Sequence, residues 1–205
     1  MTHFVSDRRQ FLSYAALGAG ALLAARPLGA ATRPAPADNA ALFARAEAAL
    51  RQHVGSIMHD DVVGIADFSP ASRAARLHLL DMRNRSEVSY LVAHGRGSDP
   101  QHTGYLHRFS NDPGSNCTSE GVYRTADYYV GAHGKSMRLQ GLEATNNNAE
   151  SRAIVVHGAW YVSEEMVREH GMLGRSEGCF AVAEAHLPDV LNRLGPGRLL
   201  LATKL

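Results

Sequence analysis

Gly174-Arg175-Ser176-Glu177-Gly178-Cys179-Phe180-Ala181-Val182 runs from a Gly-rich turn into a short apolar segment. Cys179 stands 22 positions after His157, and His157 follows Ile154-Val155-Val156. A continuous apolar run of that kind belongs to a buried strand, so the sequence places His157 at a strand end and Cys179 at the start of a second strand-like run. A Cys between a Gly-rich turn and an apolar run, with a His upstream, is the layout of a thiol nucleophile and its base. The thiolate is the attacking species and a free thiol is mostly protonated at neutral pH, so an imidazole beside the sulfur is expected to activate it. Gly178 lets the backbone turn sharply and lets a carbonyl approach closely. Amides around such a turn can face an oxyanion. The competing reading of Cys179 is a buried small hydrophobe.

Working outward, Leu42, Phe43, Ala46, Ala49, Leu50 and Val54 recur at helical spacing, which predicts an amphipathic helix over 40–54 with Asp38 or Asn39 as its cap. The period then changes. Val62–Phe68, Arg76–Met82, Val88–Ala93, Gly121–Gly131, Ser136–Leu142, Arg152–His157 and Arg198–Thr203 read as strands. Ser163–His170, capped by Ser163, and Ala185–Leu194 read as short helices. Many strands without a regular βαβ alternation predict a mostly antiparallel β-fold with a few peripheral helices.

His157-Gly158 followed by Ser176-Glu177-Gly178-Cys179 resembles the signature of the L,D-transpeptidase catalytic-domain family of the ErfK/YbiS/YkuD type. Glu177 stands where the common pattern has His, and Phe180-Ala181 replaces the usual residues after the Cys. Those departures resemble a branch with Gly-Arg-Ser-x-Gly-Cys-Pro-Ala, short only of the Pro. Further upstream, Ala93–Ser98, Phe109–Ser115, Tyr129–Gly134, Leu139–Glu143 and Arg152–Ala159 resemble the same branch, so the likeness covers about Asp61 to Val182. The resemblance implies an L,D-transpeptidase-like β-sandwich and an acyltransferase acting on peptidoglycan stem peptides through a thioacyl-enzyme, with 3→3 cross-links as product. An L,D-carboxypeptidase hydrolysing the same bond is the alternative. No cofactor is implied.

The resemblance also implies roles: Cys179 as nucleophile, His157 as base, and a backbone carbonyl near the Ser-x-Gly-Cys turn orienting the imidazole. Gly178 and Ser176 are the candidates for the oxyanion and orienting region. Arg175 is a candidate for a substrate carboxylate through its planar fork, or for a loop-bracing contact. Glu177 pairs with Arg175, meets a substrate ammonium, or faces solvent. His133 and His94 are expected to border the cleft, or to make structural hydrogen bonds. Three His-Gly pairs (His94, His133, His157) raise a metal reading, but each sits on a different element and no metal is expected. Ser110, Asn111 and Ser115 line a groove or form a plain turn.

The N-terminal segment reads as a twin-arginine export signal. Arg8-Arg9 precede the uncharged stretch Leu12–Ala25, and Gly29-Ala30-Ala31 offers small residues for cleavage. The organisation expected is a signal over 1–31, a Pro-rich mobile spacer over 32–39 and a catalytic domain over 40–205. Removing residues 1–31 takes the formal net charge from +1 to −1. A near-neutral domain excludes a nucleic-acid footprint, and a monomer with no stable membrane span is expected. The chain has two cysteines, Cys117 and Cys179. Export permits a disulfide between them, and with it a non-catalytic wall-binding domain. The family resemblance instead keeps Cys179 free and leaves Cys117 without a role.

Overall fold

A computed structural model describes residues 32–34 and 39–205. The expected export signal lies outside the described residues, as does Asp38. In chain order the elements are β1 (Thr32–Pro34), α1 (Ala40–Gln52), β2 (Val62–Asp67), β3 (Ala75–Asp81), β4 (Ser86–Ala93), β5 (Gly121–Gly131), β6 (Gly134–Gly141), β7 (Val155–Ala159), α2 (Glu164–His170), β8 (Phe180–Ala183), α3 (Leu187–Leu194) and β9 (Leu199–Thr203).

The strands form one sheet in the order β1-β4-β3-β2-β9-β5-β6-β7-β8, and β4 also pairs with β8. That last pairing, Val92↔Val182 and Ala93↔Ala181, closes a ring of eight strands. The fold is β-dominant as expected, but the sandwich expectation is corrected to a closed barrel. Both architectures need inward-facing apolar residues, so the hydrophobic pattern does not separate them. What decides is whether the edge strands find each other, and closure removes the free edges. Pairing is antiparallel except for β2–β9 and β7–β8.

The backbone at Thr32–Pro34 falls within the expected spacer. It pairs antiparallel with the Ser86–Val88 end of β4, on the edge that β8 uses at the other end. A Pro is tolerated at such a sheet margin.

Alternation along the strands assigns the two faces of the barrel wall. Val156, Phe180, Val182, Leu200 and Ala202 join one core with Phe68, Tyr90, Tyr123 and Met137, and α3 adds Val190, Leu191 and Leu194 to it. Val63, Ile65, Leu199 and Leu201 face the other way and are covered by Phe43, Ala46 and Ala49 of α1. A third cluster lies outside β4, β7 and β8, where Leu91, Ala93, Ala159, Ala181 and Ala183 are covered by Val162 and Leu173. Coverage on both faces explains why β7, β8 and β9 read as continuous apolar runs rather than alternating ones.

Local signals were followed in most places. Ser163 caps α2 by accepting from the Met166 amide at 3.1 Å, and Gly171 ends it at φ +71. Asn39 occupies the cap position of α1, but its side chain makes no cap bond and donates to Glu87 instead. The strand expected over Arg152–His157 begins only at Val155, so His157 lies in the middle of β7 rather than at its end. No helix among the described residues is long and apolar enough to cross a membrane.

Candidate active site

The site is built on the outer face of the β7–β8 pair. The strands are parallel, with His157 opposite Ala181. Cys179 immediately precedes β8, two positions before Ala181, so it continues the row of Ala181 and Ala183 that faces outward with Ala159. His157, opposite Ala181, shares that face.

The Cys turn is fixed by its own hydroxyl. Ser176 Oγ accepts from the Gly178 amide at 3.1 Å and donates to the Cys179 carbonyl at 2.7 Å. The Ser176 backbone is pinned to the loop after β4: its amide donates to the His94 carbonyl and its carbonyl accepts from the Arg96 amide. Gly178 sits at φ +120, and a Cβ there would stand 2.7 Å from both the Cys117 carbonyl and Ile154 Cδ1. Only glycine fits that crossing. Ser176 is therefore an orienting residue of the turn. The Gly178 amide is spent inside the turn, which corrects the expectation that it is an open oxyanion donor.

Cys179 is half-buried and free, and Cys117 is buried and free. Their thiols point to different partners: Cys117 Sγ donates to the Ser115 carbonyl at 3.6 Å, and Cys179 Sγ to the Ala153 carbonyl at 3.5 Å. The disulfide alternative is therefore corrected. Burial pushes the Cys179 thiol up from its ordinary pKa, against the Val155 backbone N–H and the Arg152 charge, which pull it down.

His157 is buried, and its Nδ1 lies 2.9 Å from the carbonyl of Gly158. A carbonyl only accepts, so this bond puts the proton on Nδ1 and leaves the Nε2 lone pair as an acceptor. The orienting carbonyl thus comes from the residue after His157, not from the Cys turn. Burial lowers the pKa of His157, and the neighbouring His133 lowers it further, against the Gly158 bond. A thiol shifted up and an imidazole shifted down are each neutral near neutral pH.

His133 is exposed in the β5–β6 hairpin turn, and its ring stacks on His157 with centroids 4.3 Å apart. That stacking places His133 against His157. His94 is buried, with Nδ1 2.6 Å from Arg76 Nη2. Its Nε2 lies 3.5 Å from Asp99 Oδ2 but has no hydrogen-bond partner among the described residues, so the carboxylate is close without being well aligned. Burial, then the Arg76 charge, drives the His94 pKa down to about 3. The expectation that His94 borders the cleft as a substrate-binding residue is corrected: it is a neutral member of a buried strut.

Arg76 is the centre of that strut. It is fully buried, donates to the Val92 and Pro70 carbonyls and to His94, and lies 4.9 Å over the Phe68 ring. Burial lowers its pKa to about 9, so it stays charged at neutral pH. Asp99, which supports it, accepts from the Thr103 and Gly104 amides. Burial pushes its carboxyl up, and those amides outweigh burial and hold it below the ordinary value. Arg76→Met leaves two carbonyls and a ring nitrogen without their donor. Each buried acceptor left unsatisfied costs about 1–3 kcal/mol. Thermal unfolding of Arg76→Met should show that loss, and an unchanged Tm would refute the strut.

Arg175 Nη1 donates to the carbonyls of Asp99 and Pro100, so one edge of its fork braces the loop. Glu177 pairs with Arg96 at 3.0 Å rather than with Arg175, both side chains being largely exposed. Ser110 and Ser115 supply acceptors to Arg152, and Asn111 Nδ2 donates to the Ala144 carbonyl and to Asn147 Oδ1. All three lie in the loop between β4 and β5.

Two residues at the site were not singled out from the sequence. Tyr161 packs against Gly174, and its hydroxyl is pushed up to about 12 by burial and by Cys179 and Glu177 nearby. Arg152 donates to the Ser110 and Cys117 carbonyls and to the Ser119 and Ser115 hydroxyls, at 2.5–3.3 Å. All four acceptors are neutral, and among the described residues Arg152 has no carboxylate partner. Its Nη2 would stand 3.3 Å from a Cβ on Gly178, so an uncompensated cation lies beside the Cys turn. Arg152→Met should push the Cys179 thiol further up and slow its alkylation near neutral pH by about tenfold, the effect of one pKa unit. Arg152→Lys keeps the charge and should keep most of the rate. Equal loss in both variants would leave Arg152 a purely structural role.

Among the described residues no group of three or more His, Cys, Asp or Glu side chains is placed to hold a metal ion. The chain matches the L,D-transpeptidase catalytic domain over residues 36–202. It belongs to that family. No curated protein matches it. Among solved structures, an L,D-transpeptidase from Mycobacterium smegmatis is similar at 11% identity, covering 69% of this chain and 58% of its own, with a TM-score of 0.41. The helical cell shape determining protein Pgp2 of Campylobacter jejuni is similar at 11% identity, covering 83% and 57%, with a TM-score of 0.46. An L,D-transpeptidase from Xylanimonas cellulosilytica is similar at 16% identity, covering 76% and 68%, with a TM-score of 0.39. The chain thus spans well under two thirds of the length of the first two.

Proposed function

We propose that this L,D-transpeptidase-family chain is an exported cysteine acyltransferase acting on peptidoglycan stem peptides. What supports the reading, beyond family membership, is one juxtaposition: the half-buried Cys179 thiol and the acceptor-ready His157 lie on the same face of the β7–β8 pair. In the proposed cycle His157 Nε2 takes the thiol proton as Sγ attacks a peptide carbonyl at an L-centre. The C–N bond breaks, His157 gives the proton to the leaving D-amino acid, and a thioacyl-enzyme remains. An amine of a second stem peptide then attacks the thioester, loses its proton to His157 and releases the thiol. Because the thiol and imidazole rest neutral, proton transfer accompanies attack rather than preceding it. With the Gly178 amide spent, the Cys179 amide is the donor this turn offers to the developing oxyanion.

The test is incubation of the purified protein with defined muropeptides, read by intact-protein and product mass spectrometry. A thioacyl adduct and cross-linked dimers support the reading. An adduct that yields only shortened monomers makes the chain an L,D-carboxypeptidase, with water as the acceptor. No adduct on any stem peptide refutes both. Export is tested separately: Arg8→Lys with Arg9→Lys should retain unprocessed precursor in the cytoplasm, and normal export of the double variant would sink the twin-arginine reading.

A further inference from the structure

The imidazoles of His133 and His157 lie face to face, with ring centroids 4.3 Å apart and planes 22° from parallel. The β5–β6 hairpin carries His133 to that place by its shape. β6 pairs with β7 only at Met137↔Val156 and Arg138↔Val155. From Tyr129↔Ser136 outward to Gly131↔Gly134 the two arms pair with each other alone, so the turn that holds His133 overhangs the paired part of β7. β5 also carries a bulge between Thr125 and Tyr128, and a bulge bends the strand that contains it. The Gly158 carbonyl holds Nδ1 of His157 at 2.9 Å and His133 covers a face of the ring, so Nε2 is left as the free edge.

The two rings are unequal. His157 is 2% exposed, whereas His133 is open to solvent on its hairpin turn. Burial disfavours a charged imidazole, so a proton offered to the pair settles on the outer ring. A second proton would set two cations 4.3 Å apart. A charged His133 therefore opposes protonation of His157, and it contributes, after burial, to the lowered pKa of that ring. The rings meet by their faces, so no N–H of one points at a nitrogen of the other, and His133 is no proton relay to His157.

Other charges stand on the elements packed here. They are Arg124 and Asp127 on β5 and Lys135 and Arg138 on β6, while β7 and β8 carry no charged residue besides His157. Arg124 donates to Gln140, Lys135 lies over the Tyr128 ring, and Arg138 lies over the Tyr129 ring. At the Cys turn, Arg152 and Glu177 act on the Cys179 thiol. Of all these groups His133 alone shifts His157.

We propose that His133 is a positioning residue of the general base: its stack holds the His157 ring in place, and the outer ring takes the first proton in mildly acidic solution so that Nε2 stays free to accept. The role of His157 as base rests on the acyl-transfer reading above, and the coupling between the two rings does not. The sign follows. Without a charge at position 133, His157 is protonated at a higher pH, and the base is lost sooner as pH falls. A unit charge at about 4 Å moves a neighbouring titration by roughly 0.7 pH unit even with the screening of bulk water.

The first measurement needs no substrate. The ring nitrogens of isotope-labelled protein are followed by NMR as pH falls through the imidazole range, with His157 assigned by the signal missing in His157→Gln. His133→Phe keeps a ring face and drops the charge, and His133→Ala drops both. Position 133 lies in an exposed turn, so neither variant depends on repacking of the barrel. The His157 titration should move upward in both, by at least roughly 0.7 pH unit in His133→Phe. The second measurement is the pH profile of acylation by a stem tetrapeptide, whose acid limb should move upward with the His157 titration. A titration that stays in place in both variants overturns the proposal. Movement in His133→Ala alone reports lost burial rather than lost charge, and overturns it too. A titration that moves in both, with no acyl-enzyme in the parent at any pH, upholds the coupling of the rings and overturns the acyl-transfer reading. A titration that moves while the acid limb stays overturns the service of His133 to the base.

Discussion

On the proposed acyl-transfer function, Cys179→Ala should form no thioacyl-enzyme and lose turnover on stem peptides entirely, while the barrel is retained. The expectation follows from placement. Cys179 precedes β8 on the outer face and its thiol meets the Ala153 carbonyl and the Val155 backbone N–H, so removing the sulfur opens no large core cavity. The ties that shape the turn run through Ser176 Oγ to the Gly178 amide and the Cys179 carbonyl, and an alanine keeps both. Cys117→Ser is the matched control. Cys117 is fully buried against Gly97 and Ser115, so its replacement costs stability rather than chemistry. Circular dichroism and intact mass on both variants, after exposure to a tetrapeptide donor, give the answer. An adduct on Cys179→Ala together with its absence on Cys117→Ser would reverse the assignment of the nucleophile.

His157→Ala should lower turnover by about two to four orders of magnitude, the usual worth of a positioned general acid–base group. The sequence suggested more, namely that His157 also sets the resting thiolate fraction. The structure argues against an ion pair at rest, since burial raises the thiol and lowers the imidazole. The pH profile follows in sign. A thiol whose pKa is raised is alkylated fully only above the range of a free thiol, about 8.5. The iodoacetamide profile of Cys117→Ser should therefore have its midpoint above that value, and adding His157→Ala should not move it upward. A midpoint well below it that climbs in the double variant would establish a thiolate–imidazolium pair and overturn the neutral resting state. His133→Ala separates stacking from chemistry. It uncovers one face of the imidazole without touching the Gly158 bond, so its effect should be small beside that of His157→Ala.

The chain by itself determined the elements and the chemical pair. Alternating and continuous apolar runs located most strands, Ser163 announced the start of α2, and a Gly-rich turn before Cys179 with an upstream His157 pointed to the two groups proposed to react. These are local properties, fixed by side-chain period, capping and turn chemistry within a few residues. Only the tertiary structure decided the rest. Closure of the barrel depends on four residues of β4 and β8 that lie nearly ninety positions apart, and no local pattern records which edge an edge strand meets. The fate of His94 was equally illegible. A His-Gly pair in sequence looks alike at 94 and 157, yet one ring is walled in by Arg76 while the other faces outward beneath His133. The same holds for Arg152 and Arg175. Each is a lone guanidinium in a loop until the fold shows whether its neighbours are carbonyls or carboxylates, because the charge it presents to a ligand is set by partners that only chain crossing supplies.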